Sequence, residues 1–222
     1  FCNLTEVIIR EDDTLETLKD KVELATILGT FQSTLTEFRY LRSVWKKNVE
    51  EERLLGVSLT GIMDHPVLST VNDTAKEWLA ILREHAVKIN KKWAATLGIN
   101  ESAAITTVKP SGTVSQLVDS SSGIHPRMSR YYIRTVRNDK RDPLSDFLIQ
   151  QGVPYEIDVT KDSNWVFSFP MKSPEHCRIA SEMTAIDQLE HYLMFNQCWA
   201  EHNPSITVSV TEHEWLEVAA WV

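Results

Sequence analysis

Cysteine is scarce in this chain: three residues of 222, at positions 2, 177 and 198. An odd count without a repeated spacing excludes a disulfide framework and a zinc site. It fits a reducing, cytoplasmic compartment. No apolar run approaches the roughly 20 residues needed to cross a bilayer, so no membrane partner is expected. A basic-then-apolar leader with a small-residue cleavage site is also missing. Basic residues do not dominate: 23 Lys and Arg stand against 31 Asp and Glu, a net charge of -8. Nucleic-acid binding, which needs clustered cations to displace counterions, is therefore not expected. The seven histidines form no His-Glu-x-x-His pair, and His191 and His202 lie too far apart on one helix to share a metal, so no metal site is expected. The phosphate-binding pattern of Gly, four residues and Gly-Lys-Ser/Thr is absent too.

No Pro/Gly/Ser-rich linker, repeat or low-complexity tract divides residues 1–222, which are expected to form one unit. The first residue is Phe1, not Met, and a strand pattern begins at once, so the chain reads as a piece of a longer polypeptide. Seven Trp and seven Phe favour a packed interior.

Apolar periodicity alternates between strand and helix. Residues 2–9 read as a strand. Thr14 then caps a helix with Leu15, Leu18, Val22, Ala25, Leu28, Phe31, Leu35 and Phe38 at three- and four-residue steps. Residues 56–62 read as a buried strand, and residues 73–97 as a helix stopped by Gly98. A β-branched run at 104–108 is halted by Pro110 and Gly112. Further strands are predicted at 131–136, 166–169 and 206–210, with a helix at 185–201 between the last two. Strand-helix alternation of this kind predicts an α/β fold with parallel strands and crossover helices.

Two features carry candidate chemistry. The segment Lys109-Pro110-Ser111-Gly112-Thr113-Val114-Ser115 follows a strand. Gly112 lets the backbone turn tightly and a ligand approach its N–H groups, and Ser111, Thr113 and Ser115 add hydroxyls. A short helix starting there would complete an anion site. The same residues also read as an ordinary turn, but a second tight polar loop, Ser120-Ser121-Ser122-Gly123-Ile124-His125-Pro126, follows close behind. Ligands of α/β folds gather at such strand ends. The second feature is Cys2, in a strand-like segment, where a lone thiol is ordinarily a small hydrophobe. Cys177 and Cys198 are read that way.

Several segments together resemble one family. Phe1-Cys2-Asn3-Leu4-Thr5-Glu6-Val7, Leu55-Gly56-Val57-Ser58-Leu59-Thr60-Gly61 and Lys109-Pro110-Ser111-Gly112-Thr113-Val114-Ser115 occur in the order found in ribonucleotide reductases. Ser122-Gly123-Ile124-His125-Pro126 and Ser129-Arg130-Tyr131-Tyr132-Ile133-Arg134 look most like the class II, adenosylcobalamin-dependent branch, especially its monomeric triphosphate reductases. The resemblance implies the second half, five parallel strands with crossover helices, of a ten-stranded α/β barrel. It implies that Cys2 is one of two cysteines oxidised to a disulfide as the ribose 2′-hydroxyl leaves. It also implies that Pro110, Ser111, Gly112, Thr113, Val114 and Ser115 hold the substrate phosphates. The implied cofactor is adenosylcobalamin, from which a thiyl radical is generated. The implied partners are a ribonucleotide, thioredoxin or glutaredoxin as reductant, and the first half of the barrel on the same or a separate chain.

This chain departs from the family pattern as well. The radical-bearing Asn-x-Cys-x-Glu motif, the partner cysteine, the effector region and the C-terminal cysteine pair are not in this sequence. Asn3 and Glu6 do not match that motif, and the isolated segment is expected to be inactive. Three alternatives stay open: the oxygen-dependent branch with its di-iron subunit, a non-catalytic phosphate-binding or assembly domain, and one piece of a split reductase. The Ser111-Gly112 pair, where the oxygen-dependent branch tends to have Thr-Ala, speaks against the first.

Overall fold

The computed structural model describes residues 1–222. Backbone contacts group them into two compact units, one of Phe1–Arg127 with His176–Val222 and one of Met128–Glu175. The larger unit begins with β1 (Asn3–Ile8), α1 (Leu15–Gln32), α2 (Ser43–Glu52), β2 (Leu55–Thr60), α3 (Asp73–Leu97), β3 (Thr106–Thr107) and α4 (Gly112–Leu117). The smaller unit holds β4 (Tyr131–Asp139), α5 (Pro143–Gln150), β5 (Tyr155–Ile157) and β6 (Asn164–Lys172). The chain then returns to the larger unit for α6 (Ala185–Cys198) and α7 (Trp215–Trp221). No helix is long and apolar enough to cross a membrane.

Strands β1, β2 and β3 form a parallel sheet in that order. β2 is its middle strand and is buried along its whole length, as an apolar run with both faces covered should be. Side chains alternate between the two faces. Val7, Ile9, Leu55, Val57 and Leu59 pack on Leu18, Val22 and Ala25 of α1, on Leu79, Leu82 and Ala86 of α3, and on Phe195 and Trp199. The opposite face carries Leu4 and Glu6 of β1 beside Gly56 and Ser58 of β2.

Local chemistry sets the helix ends. The Thr14 hydroxyl accepts from the Thr17 N–H at 3.3 Å, and the Thr17 hydroxyl accepts from the Thr14 N–H at 2.9 Å. α1 stops at Gln32, short of the expected apolar stripe to Phe38. There the hydroxyls of Ser33 and Thr34 donate to the carbonyls of Thr30 and Phe31, each at 2.7 Å, and satisfy the last turn. α3 keeps its expected bounds, because the Asn72 side chain accepts from Ala75 N–H at 2.8 Å and Gly98 closes the helix in the left-handed region at φ 67°.

The strand inventory differs from expectation. The parallel sheet holds three strands, and β4-β6-β5 form a separate antiparallel sheet in the smaller unit. Alternation identifies a strand without saying which way its neighbour runs. Residues 206–210 form no strand: the N–H groups of Thr207 and Ser209 donate to side chains, His125 Nε2 at 2.9 Å and Gln188 Oε1 at 3.2 Å. The bonds to β3 and its exit come from the residues before them: Glu201 and His202 donate to the Thr106 carbonyl at 2.9 and 3.1 Å, and Ser205 donates to the Val108 carbonyl at 2.8 Å. Within the smaller unit, Asp158 forms an ion pair with Arg137, Oδ2 to Nε at 3.0 Å, and the Lys140 ammonium sits 4.2 Å from the Trp165 ring centre.

His191 on α6 is buried and bonds through Nε2 to the Leu68 carbonyl at 2.8 Å. Burial lowers its pKa to about 4, against the raising effect of that carbonyl, and the charge of Arg178 lowers it further. The unfolded chain therefore holds the proton more tightly. Stability is fully present above about pH 6.5 and is lost as pH falls toward 4, by on the order of 3 kcal/mol. Urea unfolding at pH 7.5 and 5 measures this loss; His191→Gln, which can keep the bond to Leu68, should remove most of the difference between the two pH values.

Candidate functional site

In a parallel sheet all three strands end on the same side. Ile9, Gly61 and Lys109 leave the sheet there, and both loops expected to carry polar chemistry lie at that edge. Gly61 has φ 83°, and a Cβ on it would meet the Ile9 carbonyl oxygen at 2.4 Å. Only glycine fits this turn. Its N–H donates to the Ser121 carbonyl at 2.8 Å, while the Thr60 hydroxyl donates to the same carbonyl at 3.0 Å and accepts from Gly123 N–H at 2.9 Å. The second polar loop is thereby stitched to the end of β2.

An ion-pair network fixes the first loop's exit. Arg127 makes a two-pronged contact with Asp64, Nε to Oδ1 at 3.0 Å and Nη2 to Oδ2 at 2.9 Å, with both side chains buried. Its Nη1 reaches Asp119 Oδ1 at 2.8 Å, and Nη2 also donates to the Asp119 carbonyl at 3.0 Å. Asp119, which follows α4, sits in the left-handed region at φ 47°. Asp64 further accepts from Ser121 N–H at 2.8 Å. Removing Arg127 would leave the Asp64 carboxylate buried without its counter-charge.

The expected phosphate loop forms a turn into the six-residue helix α4, with Ser111 at its cap position. Ser111 Oγ is buried and has no hydrogen-bond partner, as is Ser120 Oγ in the following loop. Ser115 donates its hydroxyl back to the Ser111 carbonyl and is also buried. A Cβ added at Gly112 would meet nothing within 4 Å. The backbone there faces open space, which a ligand could occupy.

Cys2 lies just before β1, at the opposite end of the sheet, and is exposed. Phe1 beside it stacks on Phe38, with ring centres 4.7 Å apart, and meets Trp45 edge-on at 5.9 Å. Cys2 and the loop are therefore not neighbours. What joins them is a strip of sheet. By two-residue alternation, Cys2, Leu4 and Glu6 share a face over about 13 Å. Register aligns Glu6 with Ser58, and Ser58 with Thr107, in one polar row across the strands. Ser58 accepts the Lys109 N–H at 3.0 Å, and Lys109 Nζ lies 3.3 Å from Glu6 Oε2. Sequence reasoning passed over Glu6, Lys109, Asp64, Asp119 and Arg127. The one available signal was Glu6, a carboxylate in a strand of apolar residues, on the same face as Cys2.

No family model matches the chain. It is 27% identical to the adenosylcobalamin-dependent ribonucleoside-triphosphate reductase of Levilactobacillus brevis, over 98% of this chain and 33% of that protein. It is 28% identical to the enzyme of the same name from Euglena gracilis, over 94% of this chain and 28% of that protein. The crystal structure of a B-12 dependent (class II) ribonucleotide reductase superposes with a TM-score of 0.84 and 23% identity, over 99% of this chain and 34% of that one. The last match shows a shared fold. The resemblance read from the motifs is thus borne out along nearly the whole chain, which spans about a third of the length of the curated relatives it matches.

The two glycines should respond oppositely to a side chain. Gly61→Ala forces a left-handed alanine against a carbonyl and should cost about 2 kcal/mol or more, lowering the thermal midpoint by roughly 4–8 °C. Gly112→Val should leave the midpoint close to that of the unaltered chain. Differential scanning calorimetry of the two variants checks both outcomes.

Proposed function

We propose that this chain is the reductant-bearing and phosphate-binding part of an adenosylcobalamin-dependent ribonucleotide reductase acting on ribonucleoside triphosphates. The observation that carries this reading is the polar face of the parallel sheet, with a thiol at one end and an open glycine loop at the other. An extended nucleotide lying along it places its ribose toward Cys2 and its phosphates at residues 110–115. Pro110, Ser111, Gly112, Thr113, Val114 and Ser115 then form the phosphate site, through backbone N–H groups around Gly112 and the unpartnered Ser111 hydroxyl. Similarity to reductases over 94–98% of the chain supports the same assignment.

In this reading Cys2 and a second cysteine elsewhere in the polypeptide supply two electrons and two protons. The two S–H bonds are lost and one S–S bond forms; the C2′–O bond breaks, one hydrogen leaves with the hydroxyl as water, and the other forms the new C2′–H bond. Adenosylcobalamin, when bound, supplies the radical that starts the chemistry. The residues of this chain hold the thiol and phosphate ends of the site, and the cofactor's contacts are assigned to the remainder of the protein. Thioredoxin or glutaredoxin re-reduces the disulfide by thiol exchange in a reducing compartment such as the cytoplasm.

The rest of a ten-stranded barrel completes the site. β1 is an edge strand, and α1 beside it exposes Leu24, Leu28 and Phe31, with Leu35 exposed just beyond its end. An unpaired edge flanked by an apolar stripe is a surface that a covering segment would bury. The first half of the barrel is the proposed cover. The Ser111-Gly112 pair and the names of the relatives favour this reading over the di-iron branch.

In the complete polypeptide, Cys2→Ser should abolish multiple turnover with thioredoxin while leaving triphosphate binding within about twofold, since no phosphate contact is lost. Sustained turnover by this variant would remove the assigned role. Gly112→Val should raise the substrate KM by about tenfold or more with the fold intact; an unchanged KM would remove the phosphate site. Activity requiring adenosylcobalamin and no second subunit separates this branch from the oxygen-dependent one.

A further inference from the structure

Glu6 is an unusual residue to find inside a strand. Its side chain is only 6% exposed, and neither carboxylate oxygen accepts a hydrogen bond. A buried carboxylate without donors is costly unless a cation faces it. That cation is Lys109, 3.3 Å away, on the residue immediately before Pro110. The backbone N–H of Lys109 is tied to Ser58, and its ammonium also donates to the Pro110 carbonyl at 3.3 Å. An ammonium has three protons. One is donated to the Pro110 carbonyl, Glu6 faces the ammonium as an ion pair without an aligned hydrogen bond, and the Lys109 side chain keeps 22% of its surface open. The ammonium therefore keeps donor capacity for a ligand in the space beside Gly112, where the buried Ser111 hydroxyl also lacks a partner.

From this arrangement we infer that Lys109 is the cation of the phosphate site, that an uncommitted N–H of its ammonium is donated to the substrate's terminal phosphate, and that Glu6 is the positioning residue that holds it there. The inference rests on the phosphate-site reading above and adds to it a charge-recognition role for a β1–loop ion pair. Backbone N–H groups orient a phosphate, whereas a fixed ammonium counts its charge. The site then distinguishes a polyphosphate ester from a nucleoside by one charge-assisted hydrogen bond that Glu6 keeps from swinging into solvent.

The test separates recognition from folding. Lys109→Met alone leaves Glu6 buried without a counter-charge and should lose both thermal stability and ligand. The double variant Glu6→Gln/Lys109→Met removes both charges and should recover the thermal midpoint. Binding is read by equilibrium dialysis of CTP, UTP, ATP and GTP, each beside its nucleoside, on the complete polypeptide carrying this segment. The double variant should bind triphosphates about 10- to 100-fold more weakly, the worth of one charge-assisted hydrogen bond, with nucleoside binding unchanged. Lys109→Arg should retain most of the affinity. Triphosphate binding within twofold of the unaltered protein in the double variant, while Gly112→Val has lost it, overturns the role of Lys109 and leaves the phosphate loop standing. Normal binding by Gly112→Val as well means the loop reading itself has failed. Should the double variant not fold, acetylation of the unaltered protein decides. Protection of Lys109 by triphosphate but not by nucleoside, read by mass spectrometry, supports the inference, and equal labelling with and without triphosphate overturns it.

Discussion

The organisation of the larger unit depends on side-chain alternation along three short parallel strands. One set of positions, from Val7 and Ile9 through Leu55, Val57 and Leu59, is buried against helices. The alternate set, Leu4 and Glu6 with Gly56 and Ser58, is thereby committed to the other face. A polar residue at Glu6 is tolerable only because this second face is not the helix-packed one. Everything proposed for function lies along it or at its two ends.

Two devices keep the C-terminal end of that face in shape. Gly61 and Thr60 bind the loop at 120–123 to β2, and the buried Asp64–Arg127–Asp119 network holds the exit from α4. These contacts lie beneath the loop and leave Gly112 and the Ser111 hydroxyl uncommitted. Rigid support below and unmet hydrogen-bonding capacity above is the arrangement a binding loop needs. The Cys2 end is built differently, from an exposed thiol beside a cluster of Phe1, Phe38 and Trp45.

Elements with strong local signals were legible in the sequence. α3 has an asparagine cap, a long apolar face and a glycine stop, so both its ends were readable. The loop at 110–115 was readable from Pro110 and Gly112 breaking a β-branched run. α2 was missed because Val49 is its only buried residue and leaves hardly any periodic trace. Residues 131–136 and 166–169 read correctly as strands, but pairing direction is a tertiary property, and they pair antiparallel. The Glu6–Lys109 contact depends on the register of β1 on β2 and β2 on β3, which no local pattern reveals. The Arg127 network likewise joins Asp64 and Asp119 across separate loops, and each is unremarked as an isolated charge.

The free edge of β1 sets a condition on whatever pairs with it. Side chains repeat every two residues along a strand, so a docking strand can shift only in steps of two without exchanging its faces. One step out of phase would set its apolar side chains beside Glu6 and its polar ones over the helix-packed side. The edge of β1 therefore selects its neighbour by phase as well as by hydrophobicity, and the carboxylate at position 6 marks that phase.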